Sequence, residues 1–338
     1  MRRVLATLLL GLPLFGGCAL LPELSAEEAG RVRGPLATRM PQPILLTFPH
    51  LGLRRAVVLP AGEMAAGSTL AYSSIYESGA RNGDVVRMDG ELAQASLRAR
   101  RGLGKGFELE AQGGLLHAGG GTLDAAIIRW HDFFGFPNAG RKDVADDQFD
   151  MRVVRGGVEG YSLTPNELQV QDLALTLAWG AERTTPGRWS SLVRATVELP
   201  TGSEADGFGN GEVDYGLGWN GELDLGRSTL FATASWVHPG TSSALRSAGV
   251  DLFERVCVGG AWELRLTEHT SGIVQLEWLS PISGTIDMEE LDGSYADLVL
   301  GLTHDLGGPW RASLGFQEDL IAAAGTDFSL VFGLGWGL

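Results

Sequence analysis

Hydrophobic and polar residues alternate along most of this chain, and the alternation is clearest over residues 213–224. There the apolar residues occupy every second position, and polar residues or glycines stand between them. The apolar set is Val213, Tyr215, Leu217, Trp219 and Leu223. A β-strand points successive side chains to opposite faces, so this spacing predicts a strand with one apolar and one polar face.

The same period recurs often enough to predict twelve strands. Their ranges are 68–77, 84–99, 106–117, 169–180, 189–199, 213–225, 229–238, 255–266, 272–279, 296–305, 309–318 and 328–338. Short connections alternate with longer loops, of which 118–168 is the longest, and only 78–83 is too short for its place. An even number of strands with this alternation is typical of bacterial outer-membrane barrels. The pattern therefore predicts an all-β fold, an antiparallel transmembrane β-barrel.

Eight of the nine tryptophans fall on the apolar faces of these strands, most of them near strand ends. They are Trp179, Trp189, Trp219, Trp236, Trp262, Trp278, Trp310 and Trp336. Tryptophan favours the headgroup layer of a membrane, where its ring meets apolar chains and its N–H remains hydrated. The distribution therefore predicts an aromatic girdle. A soluble β-sandwich with tryptophan in its core is the alternative, but it does not explain the alternating loop lengths.

The amino-terminal residues have the features of a secretory signal, which we assign to residues 1–26. Arg2 and Arg3 precede an apolar run that is too short to cross a membrane stably. Two processing sites compete. Cys18 follows two glycines, as in a lipobox, and is a candidate for lipidation, whereas ordinary cleavage would follow Ala26.

The rest of the chain divides into two parts. Residues 27–66 show no clear period and are rich in proline and arginine, so we expect a periplasmic N-terminal lead-in there. Residues 67–338 are expected to form the barrel. The bacterial outer membrane is the expected location.

Charge excludes one class of partner and predicts the character of the barrel interior. The chain has 26 Lys+Arg and 41 Asp+Glu, a formal net charge of −15, which argues against nucleic-acid binding. We assign the charges on the strands' polar faces, eleven acids and five bases, to the interior, because charge facing hydrocarbon costs about 2–4 kcal/mol at the midplane. The residues expected to line a pore are Asp89, Glu91, Arg194, Glu198, Asp214, Glu222, Asp224, Glu263, Arg265 and Arg311. Two interpretations stay open: a cation-favouring pore, or a lumen filled by pairs of arginine and carboxylate.

Residues 122–136, in the longest loop, are the one stretch with a helical pattern. Asp124 suits the first turn of a helix, and Pro137 would end it. The segment is either a plug over the pore or an amphipathic helix on the barrel rim or lipid headgroups. The residues assigned to this loop or plug site are Asp124, Arg129, His131 and Asp132. In the plug interpretation His131 and Asp132 face solute.

Motifs that would indicate catalysis are weak. Residues 216–221 match the dinucleotide pattern G-x-G-x-x-G, but the glycines fall inside an alternating strand instead of a strand-to-helix turn. The six histidines show no metal-ligand spacing, and no Gly-x-Ser-x-Gly nucleophile elbow occurs. We expect no enzymatic activity, no cofactor and no metal.

A set of short motifs resembles those of the bacterial domain-of-unknown-function family numbered 3187, a group of secreted proteins of the outer-membrane type. The residues that carry the resemblance are Gly34-Pro35-Leu36, Arg39, Gln42-Pro43, Asp89-Gly90-Glu91, Gly119-Gly120-Gly121, Asp124, His131 to Pro137, Arg141, Leu199-Pro200-Thr201-Gly202 and Glu318-Asp319-Leu320. Together they span nearly the whole mature chain. The resemblance implies a barrel and a location in the outer membrane, and it implies no activity.

These observations favour a narrow pore or passive transporter for small solutes. A non-conducting barrel that acts through its long loops is the second hypothesis, and an outer-membrane enzyme is the third. The expected partners are outer-membrane lipid and the barrel-assembly machinery, with no nucleic acid. The identity of the solute is not encoded in any motif.

Overall fold

The computed structural model describes residues 32–135, 140–182, 189–321 and 328–337 of the chain. Within these residues fifteen strands form one sheet. The strands are β1 (Met64–Arg81), β2 (Asp84–Gly104), β3 (Phe107–Gly119), β4 (Asp150–Arg155), β5 (Val158–Ser162), β6 (Leu168–Val170), β7 (Leu173–Gly180), β8 (Trp189–Leu199), β9 (Asp214–Asp224), β10 (Ser228–His238), β11 (Arg255–Arg265), β12 (Thr270–Leu279), β13 (Tyr295–Gly307), β14 (Trp310–Asp319) and β15 (Phe328–Trp336).

Twelve of these strands, β1–β3 and β7–β15, form a closed antiparallel barrel. Strand β1 pairs with β15, from Ala66 opposite Trp336 to Ser74 opposite Phe328. Strand β2 pairs with β3, so the sheet returns on itself. Closure pairs the backbone groups of every barrel strand on both sides, which a hydrocarbon environment requires. The predicted antiparallel barrel of twelve strands is confirmed.

The connections divide between two ends of the barrel. At one end, here called the turn end, short turns join β2 to β3, β9 to β10, β11 to β12 and β13 to β14. The opposite loop end carries the long connections, with β4–β6 and the helices α1 (Asp124–Phe134), α2 (Ser243–Ser247) and α3 (Glu289–Asp292). None of the helices in the described residues is long and apolar enough to cross a membrane.

The hairpin of β1 and β2 explains why its connection is short although it lies at the loop end. Asn82 and Gly83 form the turn with φ values of 54° and 91°. Two successive residues with positive φ are what a two-residue type I′ hairpin requires, and the Asn-Gly pair is its favoured sequence.

The outer face of the barrel wall is apolar and exposed. Its most exposed leucines include Leu97, Leu217 and Leu70, which are 67%, 58% and 57% exposed. The tryptophans of this face lie mainly near its two ends. At the turn end they are Trp179, Trp189, Trp310 and Trp336, and at the loop end Trp236 and Trp278. These rings form two aromatic girdles with an aliphatic band between them.

Residues 32–58, here called the N-terminal segment, run through the interior of the barrel. We expected a periplasmic lead-in over residues 27–66, but the structure places this part of it in the lumen. Leu36, Met40, Ile44, Ala56 and Val58 are at most 3% exposed. The physical reason is electrostatic, because the segment contains four arginines and no acid, and the strands around it present buried carboxylates. The signal segment and Cys18 lie outside the described residues.

An apolar cluster closes the loop end of the barrel around the middle of the N-terminal segment. A 3-10 helix at Ile44–Thr47 brings Ile44, Leu46 and the following Phe48 into this cluster. The loops contribute Phe208 and Ile282, among others, and all of these side chains are at most 3% exposed. The interior is therefore apolar near the loop end and polar below it.

Candidate functional site

The N-terminal segment enters and leaves the barrel at the turn end. Arg33 donates from Nε to Asp305 Oδ2 at 2.9 Å and from Nη1 to Ser271 Oγ at 3.0 Å, both near the turn-end termini of their strands. At the other end of the segment, the N–H of Leu59 donates to Glu108 Oε2 at 2.9 Å near the start of β3. The segment is thus a re-entrant hairpin that reaches the loop-end cluster and returns.

Two buried carboxylates on β9 and β11 bind the segment. Glu222 accepts from Arg55 Nη2 at 2.8 Å and from the N–H of Ala56 at 3.1 Å. Glu263 accepts the N–H of Arg33 through its two oxygens at 3.1 and 3.2 Å. Both glutamates are 0% exposed. A carboxylate can be buried in this way only if hydrogen bonds and an opposite charge replace its water.

The second half of the segment, which runs back towards the turn end, is fixed at Gly52, deep in the barrel. The carbonyl oxygen of Gly52 accepts from Arg194 Nη2 at 2.7 Å and from Asn220 Nδ2 at 3.2 Å. Glu277 of β12 accepts the N–H of Leu53 at 2.8 Å and lies 3.3 Å from His50 Nε2. Backbone groups of the segment, which has almost no regular structure, therefore find partners on the barrel wall.

A cluster of two arginines and two glutamates joins the segment to β2 and β3. Arg54 contacts Glu108 through Nη2 at 2.9 Å and Glu110 through Nη1 at 3.2 Å. Arg100 binds Glu108 in a bidentate manner at 2.9 and 2.7 Å. All four side chains are at most 13% exposed. Removal of one partner from such a buried cluster typically costs about 3–5 kcal/mol, because a charge is left without its counterpart.

The inward face of β1 and β15 carries mostly small side chains, and we call this strip the small-residue lane. Its members are Gly67, Thr69, Ala71, Ser73, Ser329, Val331, Gly333 and Gly335, which pair across the two strands. The hydroxyls of Ser329 and Ser73 lie 2.8 Å apart. Small side chains leave space between this part of the wall and the N-terminal segment.

Two cavities lie along the small-residue lane from the turn end inward, and a third continues from the second between the N-terminal segment and β2, β3, β7 and β8. Their volumes are about 250, 60 and 30 Å³. The first two share Thr69, Arg98 and Val331 in their linings, and the last two share Gln112 and Arg194. Cavities of 30–60 Å³ hold only a few water molecules. The interior is therefore filled, except for this row of cavities with shared lining residues.

Eight of the ten predicted pore-lining residues face the barrel interior. They are Arg194, Glu198, Asp214, Glu222, Asp224, Glu263, Arg265 and Arg311, and none is more than 9% exposed. Most are engaged by the segment or by one another. Arg265 Nη2 lies 3.3 Å from Asp224 Oδ1, and Arg311 Nε lies 2.9 Å from Asp305 Oδ1. These residues form a bonded wall around the segment instead of lining an open water-filled pore.

Asp89 and Glu91 differ from the prediction, because they lie on the outer face of β2. The pairing of β1 with β2 shows no bulge, so side chains along β2 alternate strictly between the two faces. Arg98 and Arg100 face inward, and the odd-numbered Asp89 and Glu91 therefore face outward. These carboxylates avoid lipid because the 118–168 loop covers them. Glu91 accepts the N–H of Thr122 at 2.8 Å and also accepts hydrogen bonds from the N–H of Leu123 and the hydroxyl of Tyr72.

Helix α1 lies against the outside of the barrel at the loop end. The rings of Trp130 and Phe316, an outward residue of β14, have centroids 5.6 Å apart. His131 is buried, and its Nε2 lies 3.3 Å from Glu318 Oε1. The structure thus places the helix on the rim and not in the lumen, because its aromatic residues find apolar contacts on the outer wall.

The four predicted loop residues have different environments. Asp124 is buried, pairs with Arg141 and accepts the N–H of Asp147 at 2.7 Å. Asp132 is exposed and binds Lys142 Nζ at 2.6 Å. Arg129 is exposed and donates to the carbonyl of Ala125 at 2.9 Å, within its own helix. Asp124 and the already described His131 therefore fix the loop through buried contacts, whereas the hydrogen bonds of Arg129 to Ala125 and of Asp132 to Lys142 are exposed.

Asp172, in the connection between β6 and β7 near the loop end, has a buried carboxylate. Asp172 accepts the N–H of Gly202 at 2.7 Å and lines the 30 Å³ cavity. Burial raises the pKa of the Asp172 carboxyl, while backbone donors from Gly202, Thr201 and Asn210 oppose the rise. No group of three or more histidine, cysteine or acidic side chains in the described part of the chain could hold a metal ion.

Sequence reasoning missed the residues of the N-terminal segment that complete the interior. Arg33, Arg39, Arg54 and Arg55 all enter the lumen, and His50 lies beside Glu277. The sequence contains a signal for this arrangement. The predicted polar faces, with eleven acids against five bases, indicate a need for further cations, and the segment before the first strand carries four arginines without an acid.

Comparisons with known proteins agree with this architecture. The chain matches, over 83% of its length and 97% of the other chain, the crystal structure of the COG4313 outer membrane channel from Pseudomonas putida F1, with 15% identity and a TM-score of 0.52. A structure of the NanC porin matches 81% of this chain and 98% of its own, with 6% identity and a TM-score of 0.46. The search of curated proteins found no match.

The family comparison covers more of the chain than the predicted motifs do. The barrel has the fold of an outer-membrane channel. The model of the family described as "Protein of unknown function (DUF3187)" matches residues 16–338. The resemblance seen in the short motifs is thereby confirmed, and the chain belongs to this family.

Proposed function

We propose that the protein is a narrow channel for small hydrophilic solutes in the bacterial outer membrane, with its path along the small-residue lane. The observation that carries the proposal is a row of three cavities, two between this lane and the N-terminal segment and the third between the segment and β2, β3, β7 and β8. Thr69, Ser73, Ser96 and Gln112 contribute hydroxyl and amide groups to their linings. Such groups can replace part of the hydration shell of a passing solute.

The position of the segment supports a path on this side. Glu222, Glu263 and Glu277 hold it against β9, β11 and β12, and Arg54 and Arg33 tie it to β3 and β13. The lane on β15 and β1, between these contacts, carries mostly small side chains. The side chains facing it from the lane are too small to fill the remaining space. A fixed segment and a wall of small residues together leave an off-centre passage.

The apolar cluster at the loop end limits the conductance that we expect. Ile44, Phe48 and Phe208 are tightly buried there, so the centre of the barrel gives no aqueous route. The narrower cavities of 60 and 30 Å³ would admit only small, largely dehydrated solutes. We therefore expect a conductance well below that of an unobstructed twelve-stranded barrel.

A pair of tryptophan substitutions on neighbouring residues tests this proposal. Thr69 lines both of the larger cavities, whereas Leu70 faces outward and is 57% exposed. Single-channel recordings of the full-length protein in planar bilayers should show small openings. Thr69→Trp should abolish most of this conductance, and Leu70→Trp should leave it unchanged. Equal effects of the two substitutions would contradict a path along the lane.

A non-conducting barrel is the second candidate, and the filled lumen is the observation that favours it. If wild-type protein that migrates as a folded barrel never conducts, the cavities are isolated from each other. The loops would then be the functional part of the molecule. In either case we propose that the barrel-assembly machinery inserts the protein and that lipid surrounds its apolar outer face.

A further inference from the structure

We infer that the path along the small-residue lane selects small anions, such as halides and short carboxylates, and that Arg98 is a selectivity-determining residue. This inference rests on the proposed channel function. It concerns the sign of the charge that passes, which the overall charge of −15 does not reveal.

The linings of the two larger cavities are rich in arginine. The 250 Å³ cavity is lined by Arg33, Arg54, Arg55, Arg98, Arg100 and Arg311, and its only acidic lining residue within the described chain is Glu182. The 60 Å³ cavity has four lining arginines, and Glu110 is its only acidic lining residue among those described. Among the interior acids, Glu222, Glu263 and Glu277 are occupied by N–H groups and an arginine of the segment.

Two arginines at the narrow part of the path use backbone carbonyls as partners. Arg39 donates from Nη2 to the carbonyls of Leu45 at 2.7 Å and Phe48 at 3.0 Å. Arg194 donates from Nη2 to the carbonyl of Gly52 at 2.7 Å. The Nε atom of each is buried without a hydrogen-bond partner among the described residues. Their positive charges are therefore stabilised by dipoles, and less fully neutralised than in a contact pair with a carboxylate.

Arg98 lies where the two larger cavities meet. Its Nε donates to Gln112 Oε1 at 3.2 Å and is 3.6 Å from Glu110 Oε1, whose other oxygen contacts Arg54 at 3.2 Å. The side chain is 33% exposed, more than the 13% of Arg100 two residues along the same face. An accessible guanidinium that shares its carboxylate with another arginine presents net positive charge to the path.

Confinement strengthens the effect of this charge. A guanidinium in a narrow space bounded by low-dielectric walls attracts anions and repels cations more strongly than it would in bulk water. Arg39 and Arg194 line the 60 Å³ cavity together with Arg98, and they also reach the 30 Å³ cavity, where Glu110, Asp172 and Glu198 add carboxyl groups. An anion can thus pass between successive arginines of the two larger cavities, while a cation meets mainly positive charge there.

Reversal potentials in planar bilayers test the inference on the full-length protein. In a roughly tenfold gradient of KCl, the wild type should show a reversal potential of the sign given by chloride preference, with chloride more permeant than potassium by at least about threefold. Replacing KCl by potassium acetate should keep the sign. Arg98→Gln should reduce the permeability ratio at least about twofold, whereas Arg129→Gln on the outside of the barrel should leave it unchanged.

The outcomes separate the inference from the proposed function. A wild type that conducts with potassium preference, or without preference, overturns anion selection and leaves the channel standing. A folded wild type that never conducts removes the channel and the inference with it. An unchanged ratio in folded Arg98→Gln overturns the role of Arg98. If that variant fails to show the heat-modifiable migration of a folded barrel, the sign measured for the wild type still decides anion selection.

Discussion

Arg55 of the N-terminal segment and Glu222 of β9 form a two-pronged ion pair inside the barrel, with Nη2 to Oε1 at 2.8 Å and Nε to Oε2 at 3.2 Å. The two partners are not equally buried, since the side chain of Glu222 is 0% exposed and that of Arg55 is 28% exposed. A bidentate arginine–carboxylate contact fixes both position and orientation of the chain that carries it. This pair therefore holds the segment in the lumen.

The unequal burial predicts unequal costs for removing the two partners. Arg55→Ala removes the two-pronged ion pair from a fully buried carboxylate, and we expect a loss of about 3 kcal/mol in the free energy of unfolding. Glu222→Gln leaves an arginine that can reach water, so its cost should be smaller, about 1–2 kcal/mol. Urea titrations of the protein refolded into lipid bilayers measure both values. A larger cost for Glu222→Gln would contradict this asymmetry.

Exposed Arg246 provides the matched control for Arg55. Its Nη2 lies 2.7 Å from Glu212 Oε1, but the side chains are 53% and 41% exposed. Pairs of this kind contribute about 0–1 kcal/mol. Arg246→Ala should therefore change the free energy of unfolding little, and trypsin should cleave the N-terminal segment more rapidly in Arg55→Ala than in this control.

The strands could be predicted from the sequence and the filling of the lumen could not, for one physical reason. A wall strand contacts lipid on one face and the interior on the other, which produces the alternation seen in β9. The N-terminal segment is surrounded on all sides by the barrel, so no period of its residues distinguishes inside from outside. Ala56 and Arg55 are neighbours in sequence, and the wall contacts both.

The position of Glu91 on the outer wall gives a second prediction. Because Glu91 is covered by Thr122 and Leu123 and not by the lumen, Glu91→Gln should leave conductance and ion preference unchanged. It should weaken the attachment of the loop, which limited proteolysis within residues 118–168 would reveal. A change in reversal potential comparable to that expected for Arg98→Gln would show that Glu91 faces the path.

The assignment of Asp89 and Glu91 to the interior shows where polarity alone misleads. The rule that charge avoids lipid is sound, but a long loop can cover part of the outer wall and supply backbone N–H groups. The alternation itself indicated the correct faces, because Arg98 lies seven positions after Glu91, an odd offset, so the two must face opposite sides of an unbulged strand.

Arg141 predicts how the loop is fixed to that wall. It is 3% exposed, pairs with Asp124 and lies over the ring of Tyr76 at 5.4 Å. Arg141→Gln leaves the buried carboxylate of Asp124 without its cation, and we expect a local cost of about 3–5 kcal/mol. Protease sensitivity of residues 118–168 should increase while heat-modifiable migration persists. Arg152→Gln, at an exposed pair with Asp150, is the control with little effect.

Asp172 predicts a pH dependence of stability. Burial raises the pKa of this carboxyl in the folded protein, so folding favours its protonated form. Its contribution to the free energy of unfolding is fully present below the unfolded pKa of about 3.9 and is lost as pH rises through the folded pKa. In denaturant titrations at several pH values, Asp172→Asn should remove this part of the decline in the free energy of unfolding. The substitution Asp287→Asn, at an exposed residue, should retain it. Parallel declines in both variants would contradict the assignment.

The pairing of β1 with β15 predicts the consequence of removing the last strand. Nine residue pairs join β15 to β1 and eight join it to β14, so deletion of residues 328–338 creates two unpaired edges. In lipid these edges have no water to satisfy their N–H and C=O groups, and each unsatisfied group costs several kcal/mol. The truncated chain should fail to show heat-modifiable migration after refolding into bilayers. Phe332→Ala removes an outward side chain that is 50% exposed but keeps every ladder bond, and it should still assemble. Assembly of the truncation to a protease-resistant barrel would mean that β1 and β14 can close the sheet without β15, and the lane that β15 helps to form would then have a different wall.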